Sequence, residues 1–145
     1  MNLSKNSKFT QAVTVTNGAA GTSDINGATL DMQNFESVLM RVTFGAIVSS
    51  AATSIKAQQG ANSGLSDAAD LIGTSQTVAD SDDEKIFYID LVKPEERYVR
   101  LVVVRATQNA TCEASYLQYN PRKGPTSQGT NVSGELHVSP AEGTA

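Results

Sequence analysis

His137 is the only histidine in the chain, and proton transfer near neutral pH draws on histidine first. It stands near the C-terminal end with no nucleophile elbow or similar signature around it. A Ser-His-Asp site through it therefore lacks support, and it reads as a strand histidine facing solvent. Asp80-Ser81-Asp82-Asp83-Glu84 is the densest charge in the sequence. Carboxylates at this spacing could ligate calcium, but the turn glycine and the closing glutamate of an EF-hand are missing. The run reads as a solvated turn whose charges keep the apolar strand after it from pairing with other chains. Cys112 is the only cysteine, which excludes an intrachain disulfide and a thiolate zinc cluster. No glycine-rich phosphate loop is present. The chain is thus expected not to be an enzyme and to need no cofactor.

Two weaker signals concern binding. Arg122-Lys123 is the one adjacent basic pair, too small for a nucleic-acid footprint but suited to an acidic protein surface. Tyr88, Tyr98, Tyr116 and Tyr119 could form a sugar platform, although all four fall in strand-like runs where tyrosine fills or edges a core. The chain has 145 residues, 39% hydrophobic and 18% charged, with a net charge of −4. That length suits one domain with a real core, and the acidic balance argues against nucleic acid as a partner. No apolar stretch is long enough to cross a bilayer, so no membrane partner is expected. Met1-Asn2-Leu3-Ser4-Lys5-Asn6 leads into no apolar h-region, so production in a reducing cytoplasm is expected. The glycosylation sequons at Asn2, Asn109 and Asn131 are accordingly given no weight.

The elements that must position these residues are strands. Lys85–Thr107 holds two apolar runs either side of Lys93-Pro94-Glu95-Glu96-Arg97. Phe87, Ile89 and Leu91 share one face of the first, and Val99, Leu101 and Val103 one face of the second. Folded as a hairpin, the runs set Phe87 against Val103, Ile89 against Leu101, Leu91 against Val99 and Asp90 opposite Arg100. In a jelly roll, the two runs could instead enter opposite sheets.

Residues 9–16 alternate cleanly, with Phe9, Gln11, Val13 and Val15 on one face, and end at Asn17-Gly18, a tight-turn signal repeated at Asn26-Gly27. Residues 28–32 point Leu30 and Met32 inward. Residues 36–48 place Val38, Met40, Val42 and Phe44 on one face, with Gly45 marking a bulge. Residues 53–59 read as an exposed or edge strand, residues 66–72 as one helical turn stopped by Gly73, and residues 74–79 as a short strand or extended loop. Residues 111–119 turn Cys112, Ala114, Tyr116 and Gln118 to one side. Residues 120–130 form a long loop, and residues 132–139 a last strand with Val132, Leu136 and Val138 as its apolar positions. About seven to nine short strands, with at most one or two helical turns, specify an all-β antiparallel sandwich of jelly-roll type. Residues 1–8 are expected as a flexible arm, 9–139 as the single domain and 140–145 as a free tail.

One ordering recurs here: TQAVTVTNGAAGTSDI, then FESVLMRVTF, SSAATSIKAQQG, GLSDAADLIGTSQTV and KIFYIDLVKPEERYVRLVVV. Over residues 9–119 it resembles the capsid decoration, or cement, proteins of tailed bacteriophages. The resemblance implies a jelly-roll-like virion protein, made in the bacterial cytoplasm and bound outside an HK97-type shell. There it would stabilise the expanded head by bridging capsomers. It further implies the major capsid protein as partner and a homo-oligomer, dimer or trimer. Exposure, rather than the family, nominates Lys5, Lys8, Phe9, Arg122 and Lys123 as contacts. A sugar- or ligand-binding β-sandwich module of a phage particle is the alternative.

Overall fold

The computed structural model describes residues 2–105, 110–139 and 141–142. Met1, Thr107, Asn109 of the second sequon, and residues 140 and 143–145 of the expected tail lie outside the described residues. Period-two alternation becomes strand at every long apolar stretch but the last. One helical turn, α1 (Leu3–Asn6), precedes β1 (Lys8–Val13), β2 (Ile25–Asn26), β3 (Leu30–Asp31), β4 (Phe35–Ile47) and β5 (Thr53–Gly60). β6 (Ala69–Asp70), β7 (Gln76–Val78), β8 (Ile86–Val92), β9 (Tyr98–Arg105) and β10 (Ala110–Pro121) follow.

The first sheet runs β1-β10-β4-β8; the second runs β2-β9-β5-β6, with β3 also beside β9 and β7 beside β5. Each of these pairings is antiparallel. Read as interrupted strands, β2 with β3 and β6 with β7 leave a jelly-roll order, the first strand lying beside the last. The inward sets of the two sheets close over one core. Val42, Phe44, Val99, Leu101 and Val103 are fully or almost fully buried, and Ile89 is buried. Phe87 and Leu91, nearer the rim, are half-buried and pack against that core. Phe87 meets Phe44 edge to face, ring centroids 5.7 Å apart.

The hairpin pairing of the central runs is corrected. β8 pairs with β4 in the first sheet and β9 with β5 in the second, so Phe87, Ile89 and Leu91 look across the core at the β9 residues. Lys93 takes a left-handed φ of 52° and donates its N–H to Glu36 O, which turns the chain between the sheets. Asp90 and Arg100 never meet: Asp90 accepts from Tyr119 Oη at 2.7 Å, and Arg100 Nε donates to Gln58 Oε1 at 2.8 Å.

Four further expectations change. β5 is an interior strand with Thr53, Ile55 and Ala57 buried, and only its outer face meets solvent. Residues 66–72 form turns and β6 rather than a helical turn, because Leu71 N and Thr74 Oγ1 bond the Ala57 backbone of β5. One isolated turn of helix has no comparable return for its ordering cost. In β1 the register shifts between Gln11 and Val13, so Ala12 and Val13 are both buried while Phe9 and Gln11 face out. Val15 lies beyond the strand, exposed. Residues 132–139 form no strand, and Leu136 and Val138 are exposed.

The two sheets are joined by a hydrogen bond in the core. Between β2 and β3 the chain leaves β9: Gly27 N donates to Leu101 O, but Ala28 N turns away to Ala12 O. Leu101 N is left without a strand partner on that side, and the buried Tyr116 hydroxyl accepts it at 2.9 Å. A Cβ on Gly27 would come within 2.7 Å of that hydroxyl oxygen, so glycine is required by close approach.

Two outcomes test this core. Leu101→Asp places an unpaired charge at a fully buried site and is expected to abolish cooperative unfolding by circular dichroism. A soluble variant with unchanged melting contradicts the facing of β9. Tyr116→Phe leaves Leu101 N–H buried without a partner and is expected to lower stability by about 1–3 kcal/mol in urea unfolding. An unchanged midpoint contradicts the node.

Candidate functional site

The contacts nominated from sequence converge on the end of the sandwich where β4 begins and β10 ends. Residues 2–8, expected as an arm, make α1 and are tied to the loop after β10. Thr126 N donates to Lys5 O at 2.9 Å and Thr126 Oγ1 to Ser7 O at 2.7 Å. Gln128 Nε2 donates to Ser4 O and Ser7 O at 3.1 and 2.9 Å, while its Oε1 accepts from Phe9 N at 2.9 Å. Side chains of the loop thus serve the backbone at the start of edge strand β1 as a neighbouring strand would, and Ser7 is fully buried. Arg122 N, donating to Asn34 O at 2.9 Å, anchors the near end of the loop.

Clefts surround this loop and share residues. A groove of about 500 Å³ holds Lys5, Phe9, Gln128, Val132 and Leu136. The next, about 480 Å³, is lined by Lys8, Asn34, Phe35, Lys123 and Thr126. Arg122 borders two more, of about 440 and 460 Å³, one with Leu3 and Tyr119 and the other with Lys93 and Arg97. Lys5 is therefore brought together with Phe9, and Lys8 with Lys123, while Arg122 links the remaining pair of clefts. Six of the chain's 11 basic residues line this crevice against four of its 15 acidic ones. With Arg97 paired to Asp31 at the rim, this end is slightly basic on an acidic body.

Sequence reasoning missed Arg97. Its guanidinium holds Asp31 through two bonds of 2.9 and 2.7 Å, donates to Gln33 at 2.8 Å and sits 5.1 Å from the centre of the Tyr98 ring. The signal was the charged link 93–97 between two apolar runs, read only as a turn.

The opposite end carries the acidic turn. Asp80 accepts from the Ser50 and Ala51 N–H groups and Asp83 from Ile47 N, so these carboxylates tie the turn to the β4–β5 connection. Asp82 takes Ala79 N and the Lys85 ammonium, which holds its carboxyl below the usual range. Among the described residues no group of three or more His, Cys, Asp or Glu is arranged to hold a metal ion. His137 is exposed and 3.0 Å from Glu135. Cys112 is buried, and burial pushes its thiol up, away from the reactive thiolate. The tyrosines are dispersed: Tyr116 in the core, Tyr98 in the second sheet, Tyr88 and Tyr119 on the outer face of the first.

No protein-family model matches the chain, and no curated protein matches it. Among solved structures it is similar to the PBSX exported protein XepA, at 16% identity and a TM-score of 0.54 over 98% of this chain and 46% of that one. It is also similar to the SPBc2 prophage-derived protein YomS, at 14% identity and a TM-score of 0.48 over 78% of this chain and 94% of that one. The likeness to XepA is one of fold. The chain spans less than half of XepA's length.

Asp31 offers a pH test at the crevice rim. The Arg97 hydrogen bonds hold its carboxyl below the ordinary value of 3.8. A lowered folded-state pKa gives stability that is present above the unfolded value and lost as pH falls through the folded one. Both side chains are more than a third exposed, so solvent screening keeps the contribution small. Asp31→Asn is expected to melt slightly lower at pH 7 and to converge with the parent as pH falls below the ordinary carboxylate value and through the lowered folded one. A constant difference across pH contradicts the pairing.

Proposed function

We propose that this chain is a structural protein of a phage particle that binds the outside of an HK97-type capsid and stabilises the expanded head by bridging capsomers. The basic crevice is the observation that carries this reading. It mixes lysine and arginine with the exposed apolar groups Leu3, Phe9 and Leu136, on a scaffold whose loops are bonded in place. Such a surface suits an acidic protein patch, with charge steering the approach and apolar groups adding contact area. A copy repeated over a lattice needs only modest affinity at each site, because linked contacts sum. The sequence ordering resembles decoration proteins, which supports the setting, and a fold neighbour, XepA, is an exported protein of PBSX. The partner is the major capsid protein and the place of action the capsid exterior. The sugar-binding alternative gains no support from the dispersed tyrosines.

Co-sedimentation with expanded, undecorated phage heads tests the proposal. The protein is expected to bind saturably at a fixed ratio to the major capsid protein. The double variant Lys8→Glu/Lys123→Glu is expected to bind at least about tenfold more weakly, with unchanged melting. No binding at micromolar concentration, or full binding by the variant, contradicts it.

A further inference from the structure

An unpaired sheet edge offers backbone N–H and C=O groups to any extended chain, and proteins guard such edges by shortening or covering them. Among the described residues, three of the four sheet edges are guarded in this way. The second sheet ends in pieces of two or three residues, β2 and β3 on one side and β6 and β7 on the other. At β1, Gln128 bonds Phe9 N and Ser7 O, and Ala28 N bonds Ala12 O.

The β8 edge is the exception. It runs seven residues, Ile86–Val92, with β4 on one side and no strand on the other. Phe44 N donates to Lys85 O and Lys93 N to Glu36 O, so in this register residues 87, 89 and 91 bond β4. The N–H and C=O groups of Ile86, Tyr88, Asp90 and Val92 therefore point away from the sheet. Among the described residues a single bond meets them: Gln76 Nε2 donates to Tyr88 O at 2.8 Å. That amide stands where the N–H of a further strand would. The side chains agree with the backbone. Ile86, Tyr88 and Val92 are 60%, 61% and 58% exposed, and on the inward side Phe87 and Leu91 are half-buried at the rim of the core. The acidic run before β8 does not shield this edge. Asp80 and Asp83 accept from the β4–β5 connection, and Asp82 from Ala79 N and Lys85.

We infer that the β8 edge is a docking site for an extended segment of a second, different protein, which adds to the first sheet as a fifth strand. What the edge presents defines the occupant. An open ladder is satisfied by extended backbone, because a helix keeps its own N–H and C=O groups bonded. One set of alternate side chains on the added strand faces the rim at Phe87 and Leu91, so that set is apolar. The other set stands beside Ile86, Tyr88, Asp90 and Val92. Asp90 accepts from Tyr119 Oη at 2.7 Å, and among the described residues no cation pairs with it. A lysine or arginine near the centre of the added strand completes that position. A second copy of β8 brings no such group, since residues 86–92 contain no basic residue. None of these seven residues lines the crevice, so the edge is a surface additional to the one proposed for the capsid.

The probe is a blocked nine-residue peptide of alternating threonine and valine with lysine at its centre, titrated into the isotope-labelled whole chain at pH 7 and followed by amide NMR. Its valines match the rim and its lysine stands opposite Asp90. The amides of residues 86, 88, 90 and 92 are expected to shift and to gain protection from exchange, with a Kd below about 1 mM. The amides of residues 87, 89 and 91 keep their bonds to β4 and their protection. Glutamate in place of the peptide's lysine is expected to weaken binding at least about threefold. Tyr88→Pro removes an outward N–H that β4 does not use, and is expected to lose binding while remaining folded. The parent titration is independent of that variant's folding. No shift at about 2 mM peptide, shifts confined to the crevice, or equal binding by the glutamate peptide or by Tyr88→Pro each overturns the inference. Protection of the edge amides by raised protein concentration alone also overturns it, and would assign the edge to a second copy. Phage heads take no part in this titration, so its failure and the failure of head binding are read separately.

Discussion

The Tyr116 hydroxyl reaching Leu101 N is the contact on which the two-sheet arrangement depends. A jelly roll brings its first strand beside its last and sends successive strands to opposite sheets, so its second sheet is stitched from short pieces. Where β2 gives way to β3 the ladder beside β9 opens, and a buried N–H would be orphaned there at a cost of about 1–3 kcal/mol. Tyr116 supplies the acceptor from the first sheet. Gly27 keeps the space clear, and Ala28 N fastens the same link to Ala12 of β1. Four strands therefore meet at one polar node inside an apolar core.

From that node the ends of the sandwich diverge in character. At one end β10 runs out to Pro121 opposite Phe35 of β4, and its loop folds back over α1. The resulting crevice gathers lysines and arginines that are far apart in sequence. At the other, Asp80 and Asp83 accept backbone N–H groups of the β4–β5 connection, so a dense acidic run is held as a structural turn. The separation of charge along the molecule follows from which loops the topology puts at each end, and it gives a small acidic protein a basic crevice among its described residues.

Much of the fold was legible in the sequence because inward alternation is the same whichever strands pair. Val42, Ile89 and Leu101 had to face a core, and they do. The partner of each strand was not legible. β8 and β9 carry matching apolar faces that suit a hairpin or a sandwich equally, and the left-handed Lys93 that decides between them has no signature in its residue type. The bulge at Ala12 inverted the facing of Phe9 for a similar reason: one extra residue shifts every later side chain to the other side. At Asn17-Gly18 and Asn26-Gly27 the dipeptide was read as a positive-φ turn, but Gly73 is the one described glycine with positive φ. Glycine stands at 18 because a Cβ would strike Cys112 O, and at 27 because of Tyr116, which are tertiary reasons invisible to a local reading. Of the nominated basic residues, Lys5, Arg122 and Lys123 are exposed and Lys8 is half-buried, while Arg97 and the tie between residues 2–8 and the loop needed the fold.

The proposed capsid role requires one end of the sandwich to face the shell, and cryo-electron microscopy of reconstituted heads with the protein added reads that orientation. The crevice around residues 122–128 is predicted to lie against the shell, with the acidic 80–84 turn pointing outward. Density placing the acidic turn or the outer face of the second sheet on the capsid, or heads left bare at saturating protein, would contradict it.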